Sequence, residues 1–194
     1  MFELFTLFDN ESVLVINQFH HDWLDTFFYY LCKSWVWIPL YAYVIWQLMT
    51  TYGVKKGIIA IAFLATTVGA QDYICNKIIK PTFERDRPFR NEEIHHKLHF
   101  GKELGITETK MHESGSDFSF YSAHAGNFAA LTFFILLALP RHRTLNTVFI
   151  LSTVLIGFAR IYLCLHYPTD VLTGFIIGSI LAYIFHKTFQ FVIR

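Results

Sequence analysis

The residues of this 194-residue chain that could do chemistry fall in three short blocks beside long apolar segments. The blocks read KPTFERDRP from Lys80, YSAH from Tyr121 and RIYLCLHYPTD from Arg160. They contain three cations and two imidazoles that stand out: Lys80, Arg87, Arg160, His124 and His166. Charged groups near a bilayer are costly, so such a cluster indicates a functional site. Fixed cations beside two histidines suit the binding and transfer of a phosphate.

Phosphoryl transfer needs positive charge and hydrogen-bond donors around the reacting group. Its transition state spreads negative charge over the equatorial oxygens, and preorganised cations and N–H groups stabilise that charge. The cations would be Lys80, Arg87 and Arg160, and arginine can bind phosphate through two parallel hydrogen bonds. Ser122 and the backbone N–H groups of Ala123 and His124 add donors where a loop enters an apolar helix, a position that favours anions.

Two histidines could divide the covalent and the proton-transfer work. A histidine can act as a nucleophile and form a covalent intermediate, and a second can protonate the leaving oxygen. His166 and Asp170 are four residues apart, so they could meet on one helical turn. A carboxylate bonded to one ring nitrogen fixes the tautomer and leaves the other nitrogen free to attack. This set requires neither a metal nor another cofactor, because the fixed cations supply the charge.

The composition indicates a membrane protein with a single domain over residues 1–194. Hydrophobic residues make up 54% of the chain and charged residues 16%, whereas charged residues are about a quarter of a soluble domain. The net charge is +1, and no basic stripe with stacking aromatics points to nucleic acid as a partner. The cysteines, Cys32, Cys75 and Cys164, lie in apolar segments, which argues against a disulfide framework.

The elements that must position the blocks are apolar stretches of roughly 20 residues, the length of a spanning helix. They are Leu24–Thr50, Ile58–Ile79, Phe120–Leu139, Val148–Cys164 and Val171–Ile193. We therefore predict an all-α, polytopic membrane helix bundle with about five transmembrane helices. Residues 1–22 are too polar to span, and we predict an amphipathic interfacial segment; the alternative is a short soluble cap that packs on the bundle. Residues 81–118 form a long polar loop, and long loops are often functional, for example as a lid.

Loop charges predict the orientation of this bundle. One side carries only basic residues in its loops and terminus: Lys55, Lys56, Arg141, Arg143, Lys187 and Arg194. Lys and Arg in short loops favour the cytoplasmic side. All three blocks lie on the other side, so we predict a multi-pass protein of the inner (cytoplasmic) membrane whose site and 81–118 loop face the periplasm.

In their order and spacing, the three blocks resemble the type 2 phosphatidic acid phosphatase (PAP2) superfamily, in its integral-membrane branch. The shared pattern is Lys-x6-Arg-Pro, then a Ser-x-His block, then Arg-x5-His-x3-Asp. The resemblance implies that His166 is the nucleophile that becomes phosphohistidine, Asp170 orients it and His124 is the general acid. It also implies a metal-free phosphate site, formed by Lys80, Arg87, Ser122, Ala123 and Arg160. Members of this family act on phosphatidic acid, phosphatidylglycerol phosphate, prenyl diphosphates or lipid A in the bilayer.

Three positions depart from the family pattern. Tyr121 and Ala123 stand where proline and glycine are usual, and Ala159 stands where the third block usually has serine. Ala123 keeps its backbone donor but adds a methyl group. Ala159 lacks a hydroxyl, whose hydrogen bond would contribute about 0.5–1.5 kcal/mol.

Other readings of the same residues stay open at this point. A phosphohistidine could transfer its phosphate to a lipid or sugar hydroxyl, which would make the protein a lipid phosphotransferase. A non-catalytic phospholipid-binding or transport protein would need the cations but not the pair of histidines with Asp170. The loop histidines His95, His96, His99 and His112 have spacings that could place ligands for a metal on one face, although a solvated loop is the simpler interpretation.

Overall fold

The computed structural model describes residues 2–101 and 118–194, and all regular structure within them is helical. The described residues form seven α-helices, in chain order: α1 (Phe2–Asn17), α2 (Asp22–Leu31), α3 (Ile38–Tyr73), α4 (Lys80–Phe83), α5 (Ala123–Ala138), α6 (Arg143–Tyr162) and α7 (Pro168–Val192). A π-helix, Ile74–Ile79, joins α3 to α4, and short 3-10 helices cover Ser34–Trp37, Pro88–Arg90 and His95–Lys97. The all-α prediction is confirmed.

Helix α3 is a hairpin of two helical arms that reverses at Gly53. Gly53 has φ +73°, a left-handed conformation that glycine adopts without steric cost. A Cβ atom on Gly57 would lie 2.9 Å from the Cα of Met49, a contact between positions eight apart that a continuous helix could not make. Buried apolar residues of the two arms join one core cluster: Val44, Leu48, Ala60 and Leu64. The first arm therefore covers residues 38–52 and the second arm residues 54–73.

The helices have the length and apolarity of a membrane bundle. In the part of the chain that the structure describes, three helical stretches are long and apolar enough to cross a bilayer, namely Ser34–Lys97, Arg143–Tyr162 and Pro168–Val192. The shorter apolar helix Ala123–Ala138 accompanies them. Large apolar side chains of these helices are exposed, among them Trp46, Leu151, Ile176 and Ile180, as on a surface that faces lipid. Since Ser34–Lys97 contains the hairpin, the five predicted apolar stretches correspond to its two arms and to α5, α6 and α7.

The first predicted stretch, Leu24–Thr50, is in fact two helices. Helix α2 ends at Leu31, a 3-10 turn follows, and the first arm starts at Ile38 with a proline in its first turn. A proline has no N–H to donate and its fixed φ suits a helix start, so Pro39 begins a new helix rather than continuing the old one. The apolar composition alone did not reveal this break.

Helices α5 and α7 approach so closely that their backbones touch. A Cβ on Gly174 would lie 2.8 Å from the carbonyl oxygen of Ser122, and one on Gly178 would clash with the carbonyl oxygen of Gly126. Small residues four apart allow this kind of close helix contact in membranes. At the ends of the two helices the backbone N–H of Ser122 donates to the carbonyl of Asp170 at 3.1 Å. This contact joins the second and third sequence blocks.

Helix α1 is amphipathic, but the residues that it buries against the protein are mostly polar. Its buried residues are Asp9, Asn10, Val13 and Asn17, while Leu4, Phe5, Leu7, Phe8 and Val15 are exposed. The side chain of Asn17 donates to the carbonyl of His99 and accepts from its N–H. Residues 2–17 thus form a cap on the bundle, as in the alternative reading, and the exposed apolar face suits the interfacial position that the sequence predicts.

Candidate active site

The three sequence blocks meet at one end of a cavity of about 660 Å³. The charged and imidazole residues that line it are Lys80, Arg87, His124, Arg160 and His166. The three cations are at most 8% exposed, and charge held in such a low-dielectric cleft attracts an oppositely charged ligand strongly. The structure therefore brings all five residues together in a site suited to an anion.

The turn after α6 places His166 beside Arg160. Helix α6 ends at Tyr162, and Cys164 takes a positive φ of 55°. The backbone N–H groups of Leu165 and His166 both donate to the carbonyl oxygen of Arg160 at 3.1 Å. The Arg-x5-His spacing thus closes a tight loop, and it leaves the His166 side chain only 1% exposed.

His166 and Asp170 lie next to each other but are not hydrogen-bonded. Nδ1 of His166 is 3.6 Å from Oδ2 of Asp170, and this nitrogen has no hydrogen-bond partner among the described residues. A movement of about 0.7 Å would bring the pair to hydrogen-bond distance. In this structure the predicted pair therefore makes a contact at ion-pair distance and not a hydrogen bond. Oδ2 of Asp170 lies on the Nδ1 side of the His166 ring.

The surroundings of His166 favour its neutral form. Burial is the largest cause and the nearby cations Arg87, Arg160 and Lys80 add to it, so the pKa of His166 lies well below the ordinary histidine value of 6.5. Both effects disfavour a positive ring. A ring that stays neutral at physiological pH keeps a nitrogen lone pair available for attack.

A salt-bridge network that the sequence did not single out holds Asp170 in place. Arg85 donates from Nη1 to Oδ1 of Asp170 at 2.7 Å and from Nη2 to Oδ2 of Asp9 at 2.6 Å. Its guanidinium also lies over the ring of Tyr167, 4.0 Å from the ring centroid. The backbone N–H of Tyr167 donates to the other oxygen of Asp170 at 2.9 Å.

Through Asp9, this network includes the N-terminal helix. The backbone N–H of Thr169 donates to Oδ1 of Asp9 at 3.1 Å, and the Thr169 hydroxyl donates to Oδ2. Asp9 on α1, Arg85 after α4 and Asp170 on α7 are thus connected in one cluster. Arg85 belongs to the Glu-Arg-Asp-Arg run of the first block, and nothing in the spacing of that run tells which charge turns inward.

The second block forms the N-terminus of α5. The hydroxyl oxygen of Ser122 accepts from the N–H of Ala125 at 3.4 Å and so caps the helix, while the hydroxyl hydrogen stays available to donate. The first N–H groups of a helix have no intrahelical acceptor, which leaves those of Ala123 and His124 as donors at the cavity. Ala123 and His124 line the cavity, so the alanine methyl occupies space that glycine would leave open.

Two of the departures from the family pattern have structural reasons. Tyr121 is fully buried and its hydroxyl donates to Oε1 of Gln71 on the second arm, so it attaches the second block to α3. Ala159 is buried in an apolar cluster with Phe28, Tyr162 and Leu163. A serine hydroxyl at residue 159 would enter apolar surroundings, which accounts for the alanine.

Along the second arm, the residues that line the cavity change from polar to apolar with sequence distance from Lys80. Asp72, Asn76 and Asn127 line the cavity, and so do Tyr41, Val44, Ile45, Ile61, Leu64, Ala65, Val68 and Leu131. Asn76 and Asn127 donate to Oδ1 of Asp72 at 3.0 and 3.1 Å. The Asn127 amide connects α5 with α3, and the Asn76 amide connects the π-helix with α3.

The loop histidines do not form the metal cluster considered above within the described residues. His95 contacts the carbonyl of Asn91, and His99 stacks on His20 and contacts Oδ2 of Asp25 at 3.0 Å. The group of three possible ligands found among the described residues is Asp22, Asp25 and His99, away from the cavity. His112 and residues 102–117 of the predicted lid lie outside the described residues.

Comparison with known proteins supports the resemblance in the three blocks. A family model described as the PAP2 superfamily matches residues 58–194. The chain is 29% identical over 186 residues to the lipid A 4'-phosphatase of Bacteroides thetaiotaomicron, covering 96% of this chain and 79% of that protein. It is 30% identical over 131 residues to phosphatidylglycerophosphatase B of Bacillus subtilis, covering 62% of this chain and 54% of the relative.

Two crystal structures have a similar fold. One is the transmembrane PAP2 type phosphatidylglycerolphosphate phosphatase from Bacillus subtilis, with a TM-score of 0.62 and 24% identity, covering 95% of this chain and 86% of that one. The other is Aquifex aeolicus LpxE, with a TM-score of 0.52 and 24% identity, covering 91% and 93%. Both matches include the N-terminal part that the family model does not reach.

Proposed function

Because this chain belongs to the PAP2 superfamily, it is a membrane lipid phosphatase of the PAP2 type, and we propose that it removes a phosphate from a lipid headgroup through a phosphohistidine at His166. One observation carries the proposal: Lys80, Arg87, Arg160 and both histidines line one end of a cavity whose other end is apolar. An amphiphile with a phosphate at one end and hydrocarbon at the other matches this arrangement.

The first step forms the covalent intermediate. The phosphate binds to Lys80, Arg87, Arg160, Ser122 and the N–H of Ala123, which stabilise its equatorial oxygens. Nε2 of neutral His166 attacks phosphorus, the bond from phosphorus to the lipid oxygen breaks, and a nitrogen–phosphorus bond forms. His124 gives its proton to the departing lipid oxygen. Asp170 orients the ring and offsets the positive charge that develops on it.

The second step restores the enzyme with water. His124, now neutral, accepts a proton from a water molecule that attacks phosphorus, and the nitrogen–phosphorus bond breaks to release phosphate. The cations that stabilise the first transition state also surround the second, so no metal ion is needed in either step. If a lipid or sugar hydroxyl took the place of water, the product would be a phosphorylated acceptor.

The hydrocarbon of the substrate lies along the α3 hairpin. Ile61, Leu64 and Val68 on the second arm line the apolar end of the cavity together with Leu131 of α5. These side chains provide the apolar contact that an acyl chain needs. A lipid can therefore keep its tail against the hairpin while its phosphate reaches His166.

The site faces the periplasm, opposite the basic end of the bundle. Tyr52 before the hairpin turn donates to the carbonyl of Ala138 at 2.8 Å and contacts Phe189. The ends of the first arm, α5 and α7 are thus close together, beside the basic residues of the hairpin turn, of the α5–α6 turn and of the C-terminus. This supports an inner-membrane protein with its basic end in the cytoplasm. The Glu92→Cys variant tests the orientation in intact cells. A membrane-impermeant thiol reagent should label this cysteine if the site faces the periplasm.

The test of the proposal is phosphate release by purified protein from a panel of lipid phosphates. We expect His166→Ala and His124→Ala to abolish release, and rapid quenching with radiolabelled substrate to trap a protein-bound, acid-labile phosphate that His166→Ala lacks. Tyr73→Phe, on the exposed side of the second arm, is the control. Full release by His166→Ala contradicts the mechanism, and phosphate recovered on an added lipid acceptor instead of in solution favours transfer over hydrolysis.

A further inference from the structure

The cavity contains a polar belt between its cationic and apolar ends that the mechanism does not use. We define this belt as Asp72, Asn76 and Asn127, and all three residues line the cavity. Asp72 and Asn76 lie on the same helical face as Lys80, at successive intervals of four residues. Asn76 lies within the π-helix, about one helical turn from Lys80, and Asp72 lies about one further turn away, at the end of α3.

A chain of hydrogen bonds fixes the orientation of the belt. The Tyr121 hydroxyl donates to Gln71 Oε1, and Gln71 Nε2 donates to Asn127 Oδ1 at 3.1 Å. Asn127 Nδ2 then donates to Asp72 Oδ1, as does Asn76. Every donor in the chain points towards the carboxylate, and such aligned bonds strengthen one another. The belt is therefore preorganised around the carboxylate of Asp72.

The belt presents a hydrogen-bond acceptor to the cavity. Both amides bind Oδ1 of Asp72, and Oδ2 accepts no hydrogen bond from the described residues. An ionised carboxylate can only accept hydrogen bonds, so the group that completes this site must be a donor. Asp72 is also the one carboxylate among the described residues that line the cavity, and its charge disfavours a second phosphate at this depth.

We propose that the belt of Asp72, Asn76 and Asn127 binds a free hydroxyl on the glycerol or hexosamine unit that carries the scissile phosphate. The proposal rests on the proposed function, because it places the phosphate at the cationic end. A sugar or glycerol unit spans roughly the gap between Lys80 and the belt, and the acyl chains continue past it to the apolar end. The enzyme then prefers phosphate monoesters of hydroxyl-bearing units over phosphatidic acid, which has no free hydroxyl, and over prenyl diphosphates, which place a second charge near Asp72.

Ligand binding to the non-reactive His166→Ala protein tests the belt without catalysis. Calorimetry in nanodiscs compares inorganic phosphate, glycerol 3-phosphate and a hexosamine phosphate. We expect at least one of the two hydroxyl-bearing ligands to bind fivefold or more tightly than inorganic phosphate, and the better one identifies the unit. The double variant His166→Ala with Asp72→Asn keeps the size of the side chain, removes its charge and places a donor where Oδ2 was. We expect the ratio of the two affinities to fall close to one in this variant. Adding Tyr73→Phe leaves it unchanged.

Kinetics with the catalytic protein supply the second measurement. For the wild type we expect kcat/KM for phosphatidylglycerol phosphate to exceed that for phosphatidic acid with matched acyl chains, and Asp72→Asn to remove most of the difference through KM. Equal affinities for the three soluble ligands, or a ratio that Asp72→Asn does not change, overturn the belt proposal. Absence of phosphate release from every lipid overturns the proposed function instead, and the binding ratio still decides on the belt.

Discussion

Replacement of Arg85 by methionine is the sharpest test of how this site is held together. Arg85 contacts Asp170 and Asp9 at 2.7 and 2.6 Å, and these two carboxylates are almost fully buried. Arg85→Met leaves both without their shared cation. Removing one partner of a buried ion pair costs about 3–5 kcal/mol, and because the Arg85 side chain is 27% exposed we expect the lower end, about 3 kcal/mol. For a chain of this size that lowers Tm by about 6–12 °C.

Thermal unfolding measured with a thiol-reactive dye suits this protein, because Cys75 and Cys164 are buried and react only on unfolding. The double variant Arg85→Met with Asp9→Asn removes one of the two uncompensated charges. It should therefore be more stable than the sum of the single effects predicts, by about 1–2 kcal/mol. Lys77→Met, exposed on the adjoining π-helix, controls for the loss of a surface cation and should leave Tm unchanged.

Arg85→Met also distinguishes a role of Arg85 in positioning Asp170 from a role in stability alone. With Asp170 no longer held by Arg85, we expect phosphohistidine formation to slow about tenfold, which corresponds to about 1.4 kcal/mol in the transition state. A purely structural defect would lower Tm but leave the rate of this step unchanged at temperatures where the variant is folded. A wild-type Tm and a wild-type rate in Arg85→Met would refute the reasoning.

The remaining predictions concern pH, helix packing and metal ions. Since the pKa of His166 in the folded protein is well below 6.5, only the unfolded chain takes up this proton as pH falls through 6.5. The wild type should therefore lose about 1.4 kcal/mol more stability than His166→Gln between pH 7.5 and 5.5; parallel unfolding curves contradict this. A Cβ on Gly178 clashes with Gly126, so Gly178→Ala should cost about 1–3 kcal/mol and reduce activity. Gly69→Ala, where a Cβ meets nothing within 4 Å, should leave Tm equal or higher, and equal losses in both variants count against the close α5–α7 contact. Phosphate release should survive dialysis against a chelator, and loss of release that a divalent cation restores contradicts the metal-free mechanism.

The helix boundaries and the positions that depart from the family pattern illustrate what sequence patterns can and cannot predict. The apolar stretches predict the helices that form the bundle, because a bilayer-length run of apolar residues has few other stable arrangements. The break between α2 and the first arm was missed, since Lys33 and Pro39 interrupt a run whose average composition stays apolar. The pattern marks Tyr121 as unusual, but only its contact with Gln71 on the second arm explains it.

By itself, the sequence determined which residue types are present for phosphate chemistry and in which order. The blocks that begin at Lys80, Tyr121 and Arg160 are short and local, so their spacing carries that information along the chain. The tertiary structure decided which charges face each other. Arg85 rather than its acidic neighbours turns towards Asp170, and Asp9 joins it from a helix 76 residues earlier. Such pairings depend on the distances between helices, and close contacts at glycines set these distances. The spacing of residues within a single segment does not encode these distances.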